Sequence, residues 1–386
     1  MRLLGLLTLS LIVSHRVADM IYNVAIIGAG MAGASLAAEI AHAGSVIILE
    51  TEAMPGYHST GRSASFWHES YGGPGVLPLT TASGSWLQEH GFLSPRGAIT
   101  MGRAQDEVVM DAFEARFVEK GFCFEHLNGA DLASKIVGLK PQWNRGLGEP
   151  DCADIDVAAL HAYYLKQARS LGAVLQCNAA ASALEYSDET WTIETRAGQF
   201  QATKIVNAGG AWASDIAVLA GASPIIISPY RRTIAQIRVS PAASPSLPLV
   251  LDVNGKFYFK PGSDGRVWLS PHDETPCIAA DVAPEELDIA IAIDQLQSVV
   301  DWRIEAVEHS WAGLRSFAPD RLPVYGFDPV QPAFFWCAGQ GGFGIQTAPA
   351  AAKLAASLLL GAEPDPMVAH IDPGTYAPDR RGLERE

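Results

Sequence analysis

The stretch "NVAIIGAGMAGASLAAEIAHAGSVIILE", Asn23 to Glu50, decides the fold. Its first apolar run has the unbroken hydrophobicity of a parallel strand covered on both faces. The run ends in Gly28-Ala29-Gly30, an alanine-rich stretch of helical character follows, and a second apolar run closes on the acid Glu50. This reads as a strand-helix-strand unit with Gly28, Gly30 and Gly33 in the G-x-G-x-x-G arrangement at its turn. Each part has a task in holding a dinucleotide. The glycines permit the tight turn and close approach to a pyrophosphate, the helix N-terminus attracts its charge, and the acid accepts from ribose hydroxyls. A bare glycine fingerprint is weak evidence; set between a buried strand and a helix, it predicts a bound dinucleotide held by Gly28, Ala29, Gly30, Met31, Ala32, Gly33 and Glu50.

At 386 residues the chain is long for one core, so a two-part architecture is expected, and 48% apolar residues suffice for a sizeable interior. The net charge of -15 argues against a nucleic-acid binder or a binder of anionic membranes, because both need a basic face. Cys123, Cys152, Cys177, Cys277 and Cys337 lack any C-x-x-C pairing, so neither a metal site nor a disulfide framework is expected. Reduced cytoplasmic thiols are the simplest reading. Arg2 followed by "LLGLLTLSLIV" has the charge and length of a signal-peptide core and is too short to span a bilayer. Met20 stands just before the cofactor-binding run, which favours an extension over residues 1–19 with Met20 as the working start; export is the alternative. The protein is expected to be soluble and cytoplasmic, with no integral membrane segment.

Further along, residues 106–120 form an amphipathic helical pattern, and Asp156 is placed to cap another running to about Leu171. Short alternating runs over 174–206 predict a strand meander, and 224–270 an antiparallel sheet punctuated by proline and glycine. Residues 284–300 read as a helix with Pro284 near its first turn. "GQGGFGIQT", Gly339 to Thr347, opens a final helix; a helix N-terminus suits a site where negative charge develops, as on a reduced flavin, which favours FAD over NAD.

Taken together, "GAGMAG", "GYHSTGRSAS", "VNAGGAWAS", "HSWAGLRSFAPD" and "GQGGFGIQT", in this order, resemble the FAD-dependent D-amino-acid oxidase (DAO) superfamily. Within it the chain is most similar to bacterial D-amino-acid dehydrogenases of the D-arginine dehydrogenase type. The resemblance covers Met20 to about Leu360. It implies an α/β fold: a Rossmann-like FAD-binding domain of the GR2 type over 20–105, 150–225 and 310–362, and a mainly antiparallel α+β substrate domain over 106–149 and 226–309. Residues 363–386 read as a flexible tail. The resemblance also implies non-covalent FAD lined by Ser59, Thr60, Gly61, Arg62, Ser63, Gly209, Trp212, Gly313 and the run Gly341, Gly342, Phe343, Gly344, Ile345, Gln346. His58 reads as a hydrogen-bonding loop residue, a covalent flavin anchor being the alternative.

An amino acid is oxidised at Cα when its carboxylate is clamped, and the planar fork of arginine is the natural clamp. Arg315 and Arg232 are the candidates: the resemblance implies that Arg315 binds the carboxylate, that Arg232 is a second arginine in contact with the substrate, and that Tyr258 and Tyr71 border the substrate. Arg231 is open between a solvated strand charge and a structural pair. The activity implied is hydride transfer from Cα to flavin, giving an imino acid that hydrolyses to a 2-oxo acid and ammonia, with a quinone or oxygen as electron acceptor. Relatives that prefer basic D-amino acids carry an acid shortly after an "SPR" triplet, where this chain has Ala98; Phe66 and His68 also depart from that branch. A buried substrate cation without a partner is costly, so a neutral or apolar side chain is expected. N-methyl amino acids, glycine or 2-hydroxy acids are the rival substrates, and a flavin-binding partner protein without turnover the rival of another class.

Overall fold

The computed structural model describes residues 20–383; the expected extension over 1–19 lies outside the described residues. Two compact units divide the chain: the first takes the chain up to Gly61, Val157–Ser228 and the chain from Ser316 on; the second takes Arg62–Asp156 and Pro229–Arg315.

The first unit is built on β1 (Ile21–Ile27), α1 (Met31–Ile40) and β2 (Val46–Leu49). The strands β1 and β2 run parallel, from Val24 opposite Val46 to Ile27 opposite Leu49. Strand Gly198–Asn207 adds in parallel on the other side of β1, and Val174–Gln176 beyond β2. The second half of Gly198–Asn207 pairs parallel with Phe334–Ala338, while its first half carries the antiparallel meander expected from the alternating runs. Every side chain of β2 is buried, as a strand covered on both faces requires. The alanines of α1 let it pack closely on the helices Val157–Ser170 and Ala348–Leu360.

Two glycines set the geometry of the turn. Gly28 has φ +106°, and a Cβ there would lie 2.4 Å from the Ala208 carbonyl oxygen; a Cβ on Gly33 would lie 2.0 Å from the carbonyl oxygen of Gly28. Neither site has room for a side chain. The core beneath holds Trp191 and Trp336, whose indole N–H groups donate to the Ala333 carbonyl (3.1 Å) and to Asp328 (2.8 Å). Burial of both large rings therefore leaves no indole donor unsatisfied.

The region after residue 363 corrects the expectation of a flexible tail. Val368, Ile371 and Tyr376 are buried, Asp372 caps the 3-10 turn Pro373–Tyr376, and Arg380 forks onto Asp320 at 2.7 and 2.9 Å. Prolines and charges suggested disorder, yet a few spaced apolar anchors and one bidentate pair hold the segment down.

The second unit carries a sheet in the order Arg303–Phe317, Ser228–Ser240, Arg266–Ser270, Tyr258–Pro261, Leu249–Asp252, Ala98–Arg103, Trp143–Glu149, Glu125–Asn128. From Ser228–Ser240 onward neighbours are antiparallel, except that Leu249–Asp252 and Ala98–Arg103 run parallel. Helix Glu286–Val299 buries Ala292, Leu296 and Val299 in a cluster with Phe259, Val267 and Leu269. Residues 62–105 fall in this unit rather than with the glycine turn, because Ala98–Arg103 sits inside its sheet and is paired on both sides.

A polar knot is buried within it. His68 Nε2 lies 2.7 Å from Glu149, which also accepts from the Ser70 amide (3.2 Å) and hydroxyl (2.5 Å). Burial pushes the Glu149 carboxyl up, but the His68 charge and the hydrogen bonds from His68 and Ser70 outweigh it and hold the carboxyl below its ordinary value.

Gly33→Ala is expected to destabilise the protein by about 1–3 kcal/mol through overpacking against backbone, seen as a lowered thermal midpoint. The depressed Glu149 value makes its contribution complete above the unfolded carboxyl value of about 4.3 and progressively lost as pH falls through the folded one. The stability gap between wild type and Glu149→Gln, measured by denaturant unfolding, should therefore shrink as pH is lowered below about 4. A gap that widened in acid would contradict this assignment.

Candidate functional site

The glycine turn of the first unit is clamped by side chains from separate segments. Glu50, buried at the end of β2, accepts from the Ala29 amide at 2.8 Å with one oxygen and from the Glu52 amide at 3.0 Å with the other. His161 Nε2 donates to the Ala29 carbonyl at 2.9 Å, and the Thr60 hydroxyl accepts from the Met31 amide at 2.9 Å. Burial pushes His161 below its ordinary value, so the ring is neutral and donates through Nε2. His161 carried no signal in the sequence beyond its place on a helix. The carboxylate oxygens of Glu50 keep lone pairs beyond these amides.

This cradle fits a dinucleotide. Gly30 precedes α1 in an extended conformation without a side-chain cap, and the first turn, which includes Ala32 and Gly33, contains no acid. Such a terminus favours an anion. A Cβ on Gly30 would press on the Thr60 hydroxyl at 3.3 Å.

The stretch expected along the cofactor is divided. Ser59, Thr60 and Gly61 belong to the first unit, with the Gly61 amide on the Gly56 carbonyl at 2.8 Å. Arg62 and Ser63 belong to the second. Arg62 donates to Asp281 (2.5 Å) and to the carbonyls of Val282 and Ala312 (both 3.2 Å), bracing two distant segments. Gly313 packs against it, a Cβ there lying 3.2 Å from that of Arg62. The Ser63 hydroxyl accepts from the Ser65 amide. His58 Nε2 lies 2.9 Å from Glu52, its ring 4.6 Å from that of Trp212. Gly209 is held by Asn207, its amide 3.2 Å from Oδ1.

The C-terminal glycine loop does not open directly into a helix. Gln340–Gly341 forms a short strand against Ser316 and Phe317, residues 342–347 turn, and the helix begins at Ala348. Gly341, at φ +55°, lies under the Phe317 ring, where a Cβ would approach to 2.1 Å. Phe343 and Gln346 are buried; Gly344 and Ile345 are half-buried and Gly342 is exposed.

In the second unit the expected substrate residues come together. Arg315 donates through Nη2 to the Tyr71 hydroxyl (2.5 Å), with its guanidinium carbon 5.4 Å from the centre of that ring. Arg232 is 5% and Arg315 8% exposed. Both reach Glu274, Arg315 at 3.2 Å and Arg232 at 3.3 Å. Arg232 also donates through Nε to the Asp273 carbonyl at 2.7 Å, while its Nη1 is buried and finds no hydrogen-bond partner among the described residues. Burial, and then the like charge of Arg315, push Arg232 below its ordinary value. Tyr258 is buried beside them; burial pushes its phenol up, so the hydroxyl stays protonated. Phe66 lies between the two tyrosines, 4.9 Å from Tyr71 and 6.0 Å from Tyr258, ring centre to ring centre. Arg231 is a structural pair, bound to Glu285 and Asp288. Asp273 and Glu274 were invisible in the sequence: "PHDETP" has no periodicity, and only two adjacent acids in a proline-flanked loop hinted at them.

Among the described residues no group of three or more His, Cys, Asp or Glu could hold a metal ion, and no helix is long and apolar enough to cross a membrane.

Comparison with known proteins agrees with this architecture. The family model described as FAD dependent oxidoreductase, DAO, matches residues 23–358. The chain is 27% identical to mitochondrial dimethylglycine dehydrogenase of Homo sapiens over 398 residues, covering 91% of this chain and 44% of that protein. It is 30% identical to glycine oxidase of Pseudomonas aeruginosa over 204 residues, 51% of each. The chain thus spans about half the length of these relatives. Among solved structures, glycine oxidase from Geobacillus kaustophilus superposes with a TM-score of 0.76 at 23% identity, covering 89% of this chain and 95% of that one. L-proline dehydrogenase from P. horikoshii gives 0.79 at 19%, covering 92% and 97%. At these identities the structural likeness speaks for the fold. With the family match running from β1 into the last helix, the chain belongs to the DAO family of FAD-dependent oxidoreductases.

Proposed function

We propose that the protein oxidises the Cα–N bond of a small amino acid with a neutral or apolar side chain, giving an imino acid that water hydrolyses to a 2-oxo acid and ammonia. The observation that carries this reading is the pair of buried arginines, Arg232 and Arg315, meeting beside Tyr71 and Tyr258, with Arg232 Nη1 unpartnered among the described residues. A buried guanidinium N–H without an acceptor is costly, and a substrate carboxylate supplies that acceptor.

FAD, when bound, supplies the hydride acceptor. The residues that would hold it are the turn Gly28–Gly33 with the first turn of α1 for the pyrophosphate, and Glu50 for the ribose. What the chain's own residues do is position the substrate. Arg315 and Arg232 take the carboxylate; the Tyr71 hydroxyl fixes the orientation of the Arg315 fork; Tyr258 offers a protonated hydroxyl on an apolar wall. Alignment of this kind is the main source of rate where no side chain has to take a proton from carbon.

The resemblance in the motifs supports a D-amino acid, whereas similarity to proteins named glycine oxidase and dimethylglycine dehydrogenase supports glycine or its N-methyl derivatives. Ala98 lies in the buried cluster with Phe66 and Tyr258, an apolar surround that favours a small uncharged side chain in both cases.

Anaerobic mixing of the FAD-loaded protein with D- and L-amino acids, glycine, N-methylglycines and 2-hydroxy acids should bleach the flavin with small neutral amino acids. Bleaching by 2-hydroxy acids alone would overturn the reading. Arg315→Ala should lower kcat/KM by about 100-fold or more, the cost of leaving a buried carboxylate unpaired. Tyr71→Phe should act more mildly, about tenfold and mostly in KM, because it removes only the acceptor that orients Arg315.

A further inference from the structure

Lys260 stands in the second unit where a charge is costly: it is 6% exposed, and burial pushes its ammonium below the ordinary lysine value while Asp154 works against that. Its three hydrogens have three takers. Nζ donates to Asp154 at 2.7 Å and to the Ser65 carbonyl at 3.3 Å, and lies 5.1 Å from the centre of the Trp268 ring, whose face attracts a cation. Asp154 belongs to a small sheet in which Ala153–Ile155 runs between Phe66–Trp67 and Leu93–Pro95. There Asp154 pairs antiparallel with Phe66, so the two side chains share a face. Lys260 follows Tyr258 by two residues on a strand of the large sheet, so these two also share a face. Two rungs therefore join the sheets: the Phe66 and Tyr258 rings, 6.0 Å apart, and Lys260 on Asp154. The residue before Phe66 is fixed as well. Ser65 has φ +46°, a left-handed conformation uncommon outside glycine, and its carbonyl also accepts from the Ile155 amide at 3.3 Å.

We propose that Lys260 is a positioning residue which, through Asp154 and Ser65, holds Phe66 against Tyr258 and thereby limits the size of the substrate side chain. The inference rests on the amino-acid reading above. Phe66 is buried between Tyr71 and Tyr258, the residues that reading sets beside the substrate, in a cluster with Ala98, Ile234 and Leu251. A ring in such a place excludes a larger side chain only if its backbone cannot retreat, and apolar packing alone is non-directional. The ammonium supplies direction. Moving the Ser65–Phe66 backbone away from Tyr258 would part Lys260 from Asp154 or from the Ser65 carbonyl and leave a buried charge short of a partner. Asp154 is itself anchored: its other oxygen takes the Arg96 fork at 2.8 and 2.6 Å, and Arg96 also donates to the carbonyls of Pro245 and Leu247. Apolar residues thus form the wall, and a buried ion pair beside them fixes where it stands.

The test measures kcat/KM of the FAD-loaded full-length protein for glycine, alanine and leucine, with both enantiomers of the last two, in wild type, Phe66→Ala, Lys260→Met and the double variant. Methionine keeps an apolar stem, and Asp154 retains its Arg96 fork, so no bare carboxylate is left. Lys260→Gln, one bond shorter than lysine, keeps a buried donor and takes the place of the methionine variant if that one does not fold. Wild type should prefer the smaller substrates. Each single variant should raise leucine relative to the best small substrate by about tenfold or more. Adding Lys260→Met to Phe66→Ala should raise that ratio no further, because the lysine acts through the ring. A loss of stability alone would lower all substrates alike and leave the ratio unmoved. A ratio unchanged in either single variant, a further rise in the double variant, or a wild type that prefers leucine would overturn the role given to Lys260 and leave the amino-acid reading standing. A wild-type flavin reduced by none of the three substrates would overturn both.

Discussion

Backbone approach without side chains is the constraint on which the first unit depends. Gly28 meets the carbonyl of Ala208 and Gly33 meets the carbonyl of Gly28, so the end of β1, the start of α1 and the strand beside them close to distances no Cβ would allow. A turn this tight would be free to take other conformations, glycine being permissive, if nothing else held it. Glu50, His161 and Thr60 remove that freedom by engaging the Ala29 amide, the Ala29 carbonyl and the Met31 amide. The glycines make the shape accessible; the three side chains select it. A loop fixed before its ligand arrives loses little entropy on binding.

The second unit solves a different problem, the burial of like charges. Arg232 and Arg315 are both buried, and burial and the like charge of Arg315 push Arg232 below its ordinary value, an arrangement that is unfavourable without counter-charge. Asp273, Glu274 and the Tyr71 hydroxyl supply much of the compensation, while Arg232 Nη1 has no acceptor among the described residues. A buried donor of this kind is what the proposed carboxylate site would use.

How far the sequence could be read followed from the range of the forces involved. The β1–α1–β2 unit was legible because its periodicity, turn and terminal acid are local, and the role of Glu50 at the end of β2 follows from that pattern, although its grip on the Ala29 amide does not. Arg232, Arg315, Tyr71 and Tyr258 were reachable only through their resemblance to a family, and they do lie in one cluster. Arg62 binds Asp281 and the carbonyl of Ala312, partners distant in sequence that leave no local trace. Glu274 and His161 escaped for the same reason. The region after residue 363 was misjudged because composition registers prolines and charges, whereas order there depends on Tyr376 in the core and Arg380 on Asp320.

The two sites therefore divide the demands of the chemistry. In the first, the three side-chain contacts to the turn from Glu50, His161 and Thr60 lie between 2.8 and 2.9 Å and are made to backbone, so rotating one of these side chains away would expose an unsatisfied amide or carbonyl. In the second, the contacts from Glu274 to Arg232 and Arg315, 3.3 and 3.2 Å, run side chain to side chain, so a rotamer change breaks them without disturbing the backbone pairing of Thr275 and Pro276. On the proposed reading, the first kind of contact suits a cofactor kept through many turnovers and the second a substrate exchanged in each. The same physical quantity, how much a contact costs to leave unmade, separates a site built to retain from one built to release.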